Sequence, residues 1–229
     1  MAFVNPNKPS GLSPVATLSG SDWTGKGRVY CIPSTESTYN YFPGDLVGLQ
    51  SGAGGDSNGI PYIALCQAGT NTLNTGAANG TAVGVIQSIG TSASGPWINP
   101  NNLATTYAPI TKLVNYYAYV LDDPNIIYEI QEGSSTASTN LTGATGCGFN
   151  AQIAIPSAST TAAPTNYVSQ MYLDNHVAPA ATIYFNLKIL QFAQRPDNHF
   201  VTSPATGGGA QKWWVLINNH QYRAGVTGA

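Results

Sequence analysis

Between Asn115 and Glu132 the chain reads NYYAYVLDDPNIIYEIQE, two runs of β-branched and aromatic residues that meet head to tail across Asp122-Asp123-Pro124-Asn125. Tyr117, Tyr119 and Leu121 recur at every second position of the first run, and Ile126, Tyr128 and Ile130 of the second. That is the period of a pleated strand with one buried face. Pro124 fixes its own φ, and the flanking Asp and Asn side chains can bond the local backbone, so the reversal has a mechanism. The segment predicts a β-hairpin, and with it a body built from strands.

The same alternation of apolar runs and turn clusters continues along the chain. Strands are expected at Arg28–Ile32, Asp45–Leu49, Pro61–Ala68, Thr81–Ser88, Lys112–Leu121, Ile126–Gln131, Gln152–Ile155, Thr182–Phe192 and Trp213–Asn218. Nine short strands predict an all-β fold, a β-barrel or sandwich of the jelly-roll kind. In Thr182–Phe192 the residues Ile183, Phe185, Leu187 and Ile189 share one face. In the last strand Trp213, Val215 and Ile217 alternate with Trp214, Leu216 and Asn218. The Gly-, Ser-, Thr- and Asn-rich intervals Gly52–Gly59, Gly69–Gly80, Gly90–Asn102 and Gly133–Gly146 read as surface loops. A short helix is expected at Asn166–Leu173, where Tyr167 and Met171 stand four apart, with a strand over the same residues as the alternative. The long connection through Gln194–Asn198 and Thr206–Gly209 is read as a contact loop.

Residues 1–20 carry Pro6, Pro9 and Pro14 among Gly and Ser, which disfavours both a helix and an unbroken ladder. The expected organisation is an extended N-terminal arm over residues 1–22, either a disordered terminus or a strap that orders on a neighbour, and a single β domain over residues 23–229. Phe3, Val4, Leu12, Val15 and Leu18 are the apolar residues expected to anchor such an arm on a neighbour.

Charged residues are 8% of the chain, against about 25% in an ordinary soluble domain. Ser, Thr, Asn, Gln, Gly and Ala take their place, so the surface is polar but nearly uncharged. It suits a protein largely covered by copies of itself or by a partner, and equally a solvated surface of hydroxyls and amides. The formal charge is −2, and the eight Lys and Arg, among them Lys26, Arg28, Lys112, Lys188, Arg195, Lys212 and Arg223, are spread along the chain with no phosphate-tracking run. No nucleic-acid partner is expected. Cys31, Cys66 and Cys147 are an odd number at wide spacing without C-x-x-C, which favours buried free thiols in a reducing cytoplasm over disulfides or zinc. The N-terminus lacks the basic-then-apolar pattern of a secretory signal, and no apolar stretch approaches the ~20 residues of a membrane span.

Residues able to do chemistry are few. His176, two residues after Asp174, reads as part of an Asx-type turn, and His220 as a strand-end residue facing a local amide or a neighbour. Asp122 and Asp123 read as turn formers, because the D-x-[DN]-x-[DN]-G calcium pattern is missing. Glu129 is placed on the polar face of its strand, and Glu132 enters only as a scarce carboxylate. Neither G-x-S-x-G nor a P-loop occurs. The expectation is a non-enzymatic protein without cofactor or metal. Trp213, Trp214, Tyr116, Tyr117 and Tyr222 keep open an alternative, a β-sandwich module that binds carbohydrate or a receptor. Adjacent strand residues face opposite ways, however, so one of the two tryptophans is assigned to the core.

Five segments in order, GDLVGL (Gly44–Leu49), AVGVIQ (Ala82–Gln87), YVLDDPNIIYEIQE (Tyr119–Glu132), LKILQFAQRPDN (Leu187–Asn198) and WWVLINNHQYR (Trp213–Arg223), together resemble the head decoration or cement proteins of tailed bacteriophages. The resemblance spans most of residues 28–223. It implies a β body on the outer surface of an icosahedral shell in the virion, assembled in the bacterial cytoplasm. Its partners would be the major capsid protein and further copies of itself, as a trimer or alternatively a dimer. Trp214, His220, Tyr222 and Arg195 are the candidates for subunit contacts, and a terminal arm would be laid across neighbouring capsid subunits.

Overall fold

The structure, a computed structural model, describes residues 5–50, 52, 54–66, 81–91, 105–133, 140–155, 159, 167–181, 183, 185–200 and 210–223. In chain order these build β1 (Ser13–Thr17), β2 (Arg28–Ile32), β3 (Leu46–Leu49), β4 (Ile63–Leu65), β5 (Gly84–Thr91), β6 (Tyr116–Leu121), β7 (Ile126–Gly133), the single helical turn α1 (Gly143–Gly146), β8 (Asn150–Ala151), β9 (Ile153–Ala154), β10 (Tyr172–Asp174), β11 (Leu187–Phe192) and β12 (Lys212–Ile217). The fold is nearly all β, as expected, and each of the nine predicted strands overlaps an observed one.

Five strands form one antiparallel sheet in the order β2-β6-β5-β3-β4. Its end strands meet again where the Cys31 N–H donates to the Pro61 carbonyl at 2.9 Å and Cys31 bridges Tyr62. The sheet thereby curls into a nearly closed barrel. The other sheet runs β8-β11-β12-β7-β10-β9, with β1 on the side of β7 away from β12. Its first and last strands are two pieces of one stretch broken at Gln152: Asn150 and Ala151 pair with β11, Ile153 and Ala154 with β10. One apolar core serves both sheets. Tyr30, Ile32, Leu46, Val85 and Val120 from the first pack in the same cluster as Tyr128, Ile130, Leu187, Ile189 and Trp213 from the second.

The predicted hairpin is not a hairpin. β6 lies between β2 and β5 in the five-stranded sheet, and β7 lies between β12 and the β1/β10 side of the other, so the two strands share no ladder. The turn itself forms as read: the Asp123 side chain accepts the Asn125 N–H at 2.9 Å, and the Ile126 N–H returns to the Asp123 carbonyl at 3.3 Å. A reversal between two period-two runs specifies strands and faces, but the partner is chosen by which sheet each strand's two edges can complete. Here it is a corner between sheets.

The extended arm is also corrected. Residues 13–17 are β1, paired with β7 from Ser13 opposite Glu129 to Thr17 opposite Ile126, with a bulge between Pro14 and Ala16. Leu12 is buried in the core, and its N–H donates to the Gly44 carbonyl at 2.9 Å. Further upstream, Asn5 exchanges two hydrogen bonds with the His199 backbone at 2.7 and 2.8 Å, and the Lys8 N–H donates to Gln131 Oε1 at 3.0 Å. The prolines do not prevent this, because β1 pairs with β7 alone among the described strands and Pro14 can sit in an edge strand without losing a ladder bond. Gly11 makes the approach possible: at φ +71° it occupies the left-handed region, and a Cβ there would lie 2.3 Å from the Gly44 carbonyl oxygen.

Of the two readings of Asn166–Leu173, the helix is absent from the described part and the strand holds at its end. Residues 172–174 form β10, parallel to the end of β7 and antiparallel to β9. The Tyr167/Met171 spacing reflects different environments, since Met171 is buried and Tyr167 is exposed. The expected loops at Gly69–Gly80 and Thr206–Gly209 lie outside the described residues, as does most of Gly90–Asn102. The last residues of the Gly133–Gly146 interval carry α1, whose Thr142 and Thr145 cap one another reciprocally.

Candidate interaction site at the sheet junction

The corner between β6 and β7 gathers a polar network that reaches the surface. Pairing of Arg28 with Val120 places Asp122 diagonally across from Arg28 on the same face. The Arg28 Nε donates to Asp122 Oδ2. Tyr30, two residues along β2 on that face, donates its hydroxyl to the same oxygen at 2.7 Å. The Tyr30 and Tyr222 hydroxyls are 2.9 Å apart. Since the single Tyr30 proton is given to Asp122, Tyr222 is the donor in that contact. The charge of Arg28 also lies over the Tyr222 ring, with Cζ 4.6 Å from the ring centroid. Burial, with the hydrogen bonds to Tyr222 and Asp122, pushes the Tyr30 phenol far above its ordinary value, so it remains a donor.

The C-terminal segment is held here by its backbone. Ala82 donates to the Asn219 carbonyl at 2.8 Å and accepts from the Gln221 N–H at 2.7 Å, which ties the end of β12 to the five-stranded sheet. Arg223 donates to the Pro124 carbonyl at 2.7 Å. Arg28 and Arg223, far apart in the chain and read above as scattered, therefore meet around one turn. The Tyr222 N–H donates to His220 Nδ1 at 3.1 Å, which leaves the neutral imidazole proton on Nε2. Burial, and then the charge of Arg223, lowers the His220 pKa to about 4.

Of the residues proposed for subunit contacts, Tyr222 is exposed within this network, whereas His220 is fully buried inside the chain. Its neighbours are intramolecular, because the Ala82 bridge pulls it under the junction. Arg195 and Trp214 lie elsewhere, on the outer face of the seven-stranded sheet. There Trp214 is half-buried opposite Glu129, while Trp213 on the other side is wholly in the core. Arg195 gives two hydrogen bonds to Asp197, at 2.9 and 3.1 Å, and one to Glu129 at 2.9 Å. Of the arm candidates, Leu12 is buried, Val15 is half-buried in β1, Leu18 is exposed, and Phe3 and Val4 lie outside the described residues.

The remaining titratable groups serve the framework. Lys112 has a fully buried side chain whose ammonium donates to the Glu36 carbonyl at 2.8 Å and the Glu36 carboxylate at 3.1 Å, with the Tyr39 and Ile110 carbonyls at 3.3 and 3.4 Å. Glu132, fully buried, accepts from Trp213 Nε1 at 3.0 Å, Gln211 Nε2 at 2.9 Å and the Leu141 N–H at 3.2 Å. Burial nevertheless pushes its carboxyl up to about 7, and does the same to Asp45. The Asp174 side chain accepts the His176 N–H at 2.9 Å, the Asx-type turn expected there. All three cysteines are free thiols, two buried and Cys147 half-buried.

Arg28 and Asp122 carry no local signal. They are 94 residues apart in the chain, and only the β2–β6 register brings them together. Among the described residues no group of three or more His, Cys, Asp and Glu is placed to hold a metal ion, and no helix is long and apolar enough to cross a membrane. Comparison with protein-family models, curated proteins and solved structures finds no match.

Proposed function

We propose that the protein is a non-enzymatic structural component of a tailed-phage head, a decoration protein that sits on the outer capsid surface and bridges capsid subunits. The observation that carries this reading is the ordered set of five segments resembling that family. Those segments coincide with β3, β5, the β6–β7 corner, β11 and β12, the strands around which both sheets are assembled. The surface supports it. Leu113 is 95% exposed and Ile183 69% exposed in a chain with few charges, and large uncovered aliphatic side chains of this kind suit burial against a neighbour.

With residues 5–17 built into the body, docking falls to the body and not to a strap. Many modest contacts, repeated over a shell or through a trimer or dimer of the chain, add up by avidity. The test is to incubate the purified full chain with undecorated phage heads, sediment them, and image the pellet by electron cryomicroscopy. Density for the chain at regular positions on the outer surface is expected. A chain that stays in the supernatant at saturating concentration refutes the reading.

A further inference from the structure

The described cations differ in how their charge is used. The Lys112 ammonium is enclosed by four oxygens, and the Arg195 fork is filled by Asp197 and Glu129. Arg223 is half-buried and turned to the Pro124 carbonyl. Arg28 is held and open at once. Its Nε is bonded to the buried Asp122, its Cζ stands over the Tyr222 ring, and its side chain is still 63% exposed. Both Nη groups are left with their N–H donors in one plane and no acceptor among the described residues. A long cationic side chain ordinarily loses its rotamer freedom on binding, but here folding has already fixed it. Beside it lies the exposed part of the Tyr222 ring, an apolar shelf whose hydroxyl is anchored on Tyr30.

We propose that Arg28, fixed by Asp122 and set over the Tyr222 ring, is a recognition site for a planar carboxylate presented by a neighbouring protein, an Asp or Glu side chain whose methylenes rest on the exposed part of that ring. The parallel N–H pair of a guanidinium matches the two oxygens of a carboxylate. Asp122 and the exposed Asp123 stand beside the site and temper its positive potential, which favours a monoanion over a polyanionic phosphate backbone. The proposal rests on the head-decoration reading only for the identity of the neighbour.

The test is a titration of the full chain with a short capped polyglutamate peptide, followed through the Arg28 Nε–H and Tyr222 ring resonances. Parallel titrations use the equivalent polyglutamine peptide, inorganic phosphate, sialyllactose and a single-stranded oligonucleotide. Saturable shifts at both residues are expected with polyglutamate and none with polyglutamine. Arg28→Lys, which keeps the charge but loses the fork, is expected to weaken binding by about tenfold. Tyr222→Leu is expected to weaken it less. Equal binding by Arg28→Lys, or tighter binding of phosphate, sialyllactose or oligonucleotide than of polyglutamate, overturns the proposal. On phage heads the two readings separate. Undiminished occupancy by Arg28→Lys rejects this site and leaves decoration standing, whereas failure of the native chain to bind rejects decoration while the peptide titration still decides the site.

Discussion

Leu12→Ala is expected to destabilise the folded chain by about 3 kcal/mol, the middle of the range for truncating a fully buried leucine to alanine. Leu12 is 2% exposed and belongs to the core cluster, and its backbone is fastened by the bond to Gly44. The substitution therefore leaves the β1 ladder intact and removes only the side chain that seats the N-terminal segment. Leu18 provides the internal control. It is 51% exposed just past the end of β1, and Leu18→Ala should fall within about 0.5 kcal/mol of the native chain. For a chain of this length each kcal/mol moves Tm by about 2–4 °C, so the two variants should melt about 6–12 °C apart. Thermal unfolding by circular dichroism, with urea unfolding to check that m is unchanged, measures both. If Leu12→Ala melts with Leu18→Ala and the native chain, the N-terminal segment does not belong to the core and its assignment here is wrong.

Lys112→Met should cost about 3–5 kcal/mol in urea unfolding, because it strips the partner from the nearly buried Glu36 carboxylate and from three carbonyls; a loss below about 1 kcal/mol contradicts that accounting. The raised pKa of Glu132, about 7 when folded against about 4 when unfolded, means that the folded state holds its proton more tightly. The stability it confers is full below about 4 and is lost as pH rises through about 7, so the native chain's Tm relative to that of Glu132→Gln should drop over that window, and a relative rise refutes the sign. His220 acts in the opposite sense: its pKa falls to about 4 on folding, so its contribution is present above about 6.5 and is lost as pH falls through about 4. His220→Gln should flatten that acid limb of the Tm profile, and an unchanged limb means another group governs it. A thiol reagent at pH 8 should modify Cys147 quickly and Cys31 and Cys66 only on unfolding, since burial pushes the Cys31 thiol up to about 12 and that of Cys66 higher; rapid labelling of all three refutes the burial.

Period-two patterning proved a good guide to faces in β7 and β12, but not in β6, where Ala118 and Val120 are fully buried and Tyr119 is half-buried. Ile126, Tyr128 and Ile130 point into the core, as do Trp213, Val215 and Ile217. In Thr182–Phe192 it holds for Leu187 and Ile189, then fails where a bulge between Ile189 and Gln191 resets the register, and Ile183 at the other end is exposed. Which strand pairs with which was not legible, because β6 and β7 differ in their neighbours and not in their own composition. β1 escaped notice since Pro6, Pro9 and Pro14 dominate a local reading, while the contact that decides the matter is Leu12 against residues far along the chain. The junction site was half visible. Tyr222 stands out as an aromatic near a chain end, but Arg28 and Asp122 become a pair only through long-range register, and a lysine as buried as Lys112 contradicts the usual exposure of that residue type.

The division of residues 150–154 between β11 and β10, together with the Cys31–Tyr62 bridge, has a bearing on how crowded copies behave. A sheet that terminates in a bare strand offers its backbone to any other chain, and proteins stored at high density on a surface would risk growing into fibrils by that route. Here β8/β9 and the β2 and β4 ends are drawn back onto their own molecule, and β1, paired on one side only among the described strands, is interrupted by Pro14 and its bulge. Packing against neighbours is thereby steered to side chains, which can be selective, and away from main-chain pairing, which is indifferent to sequence.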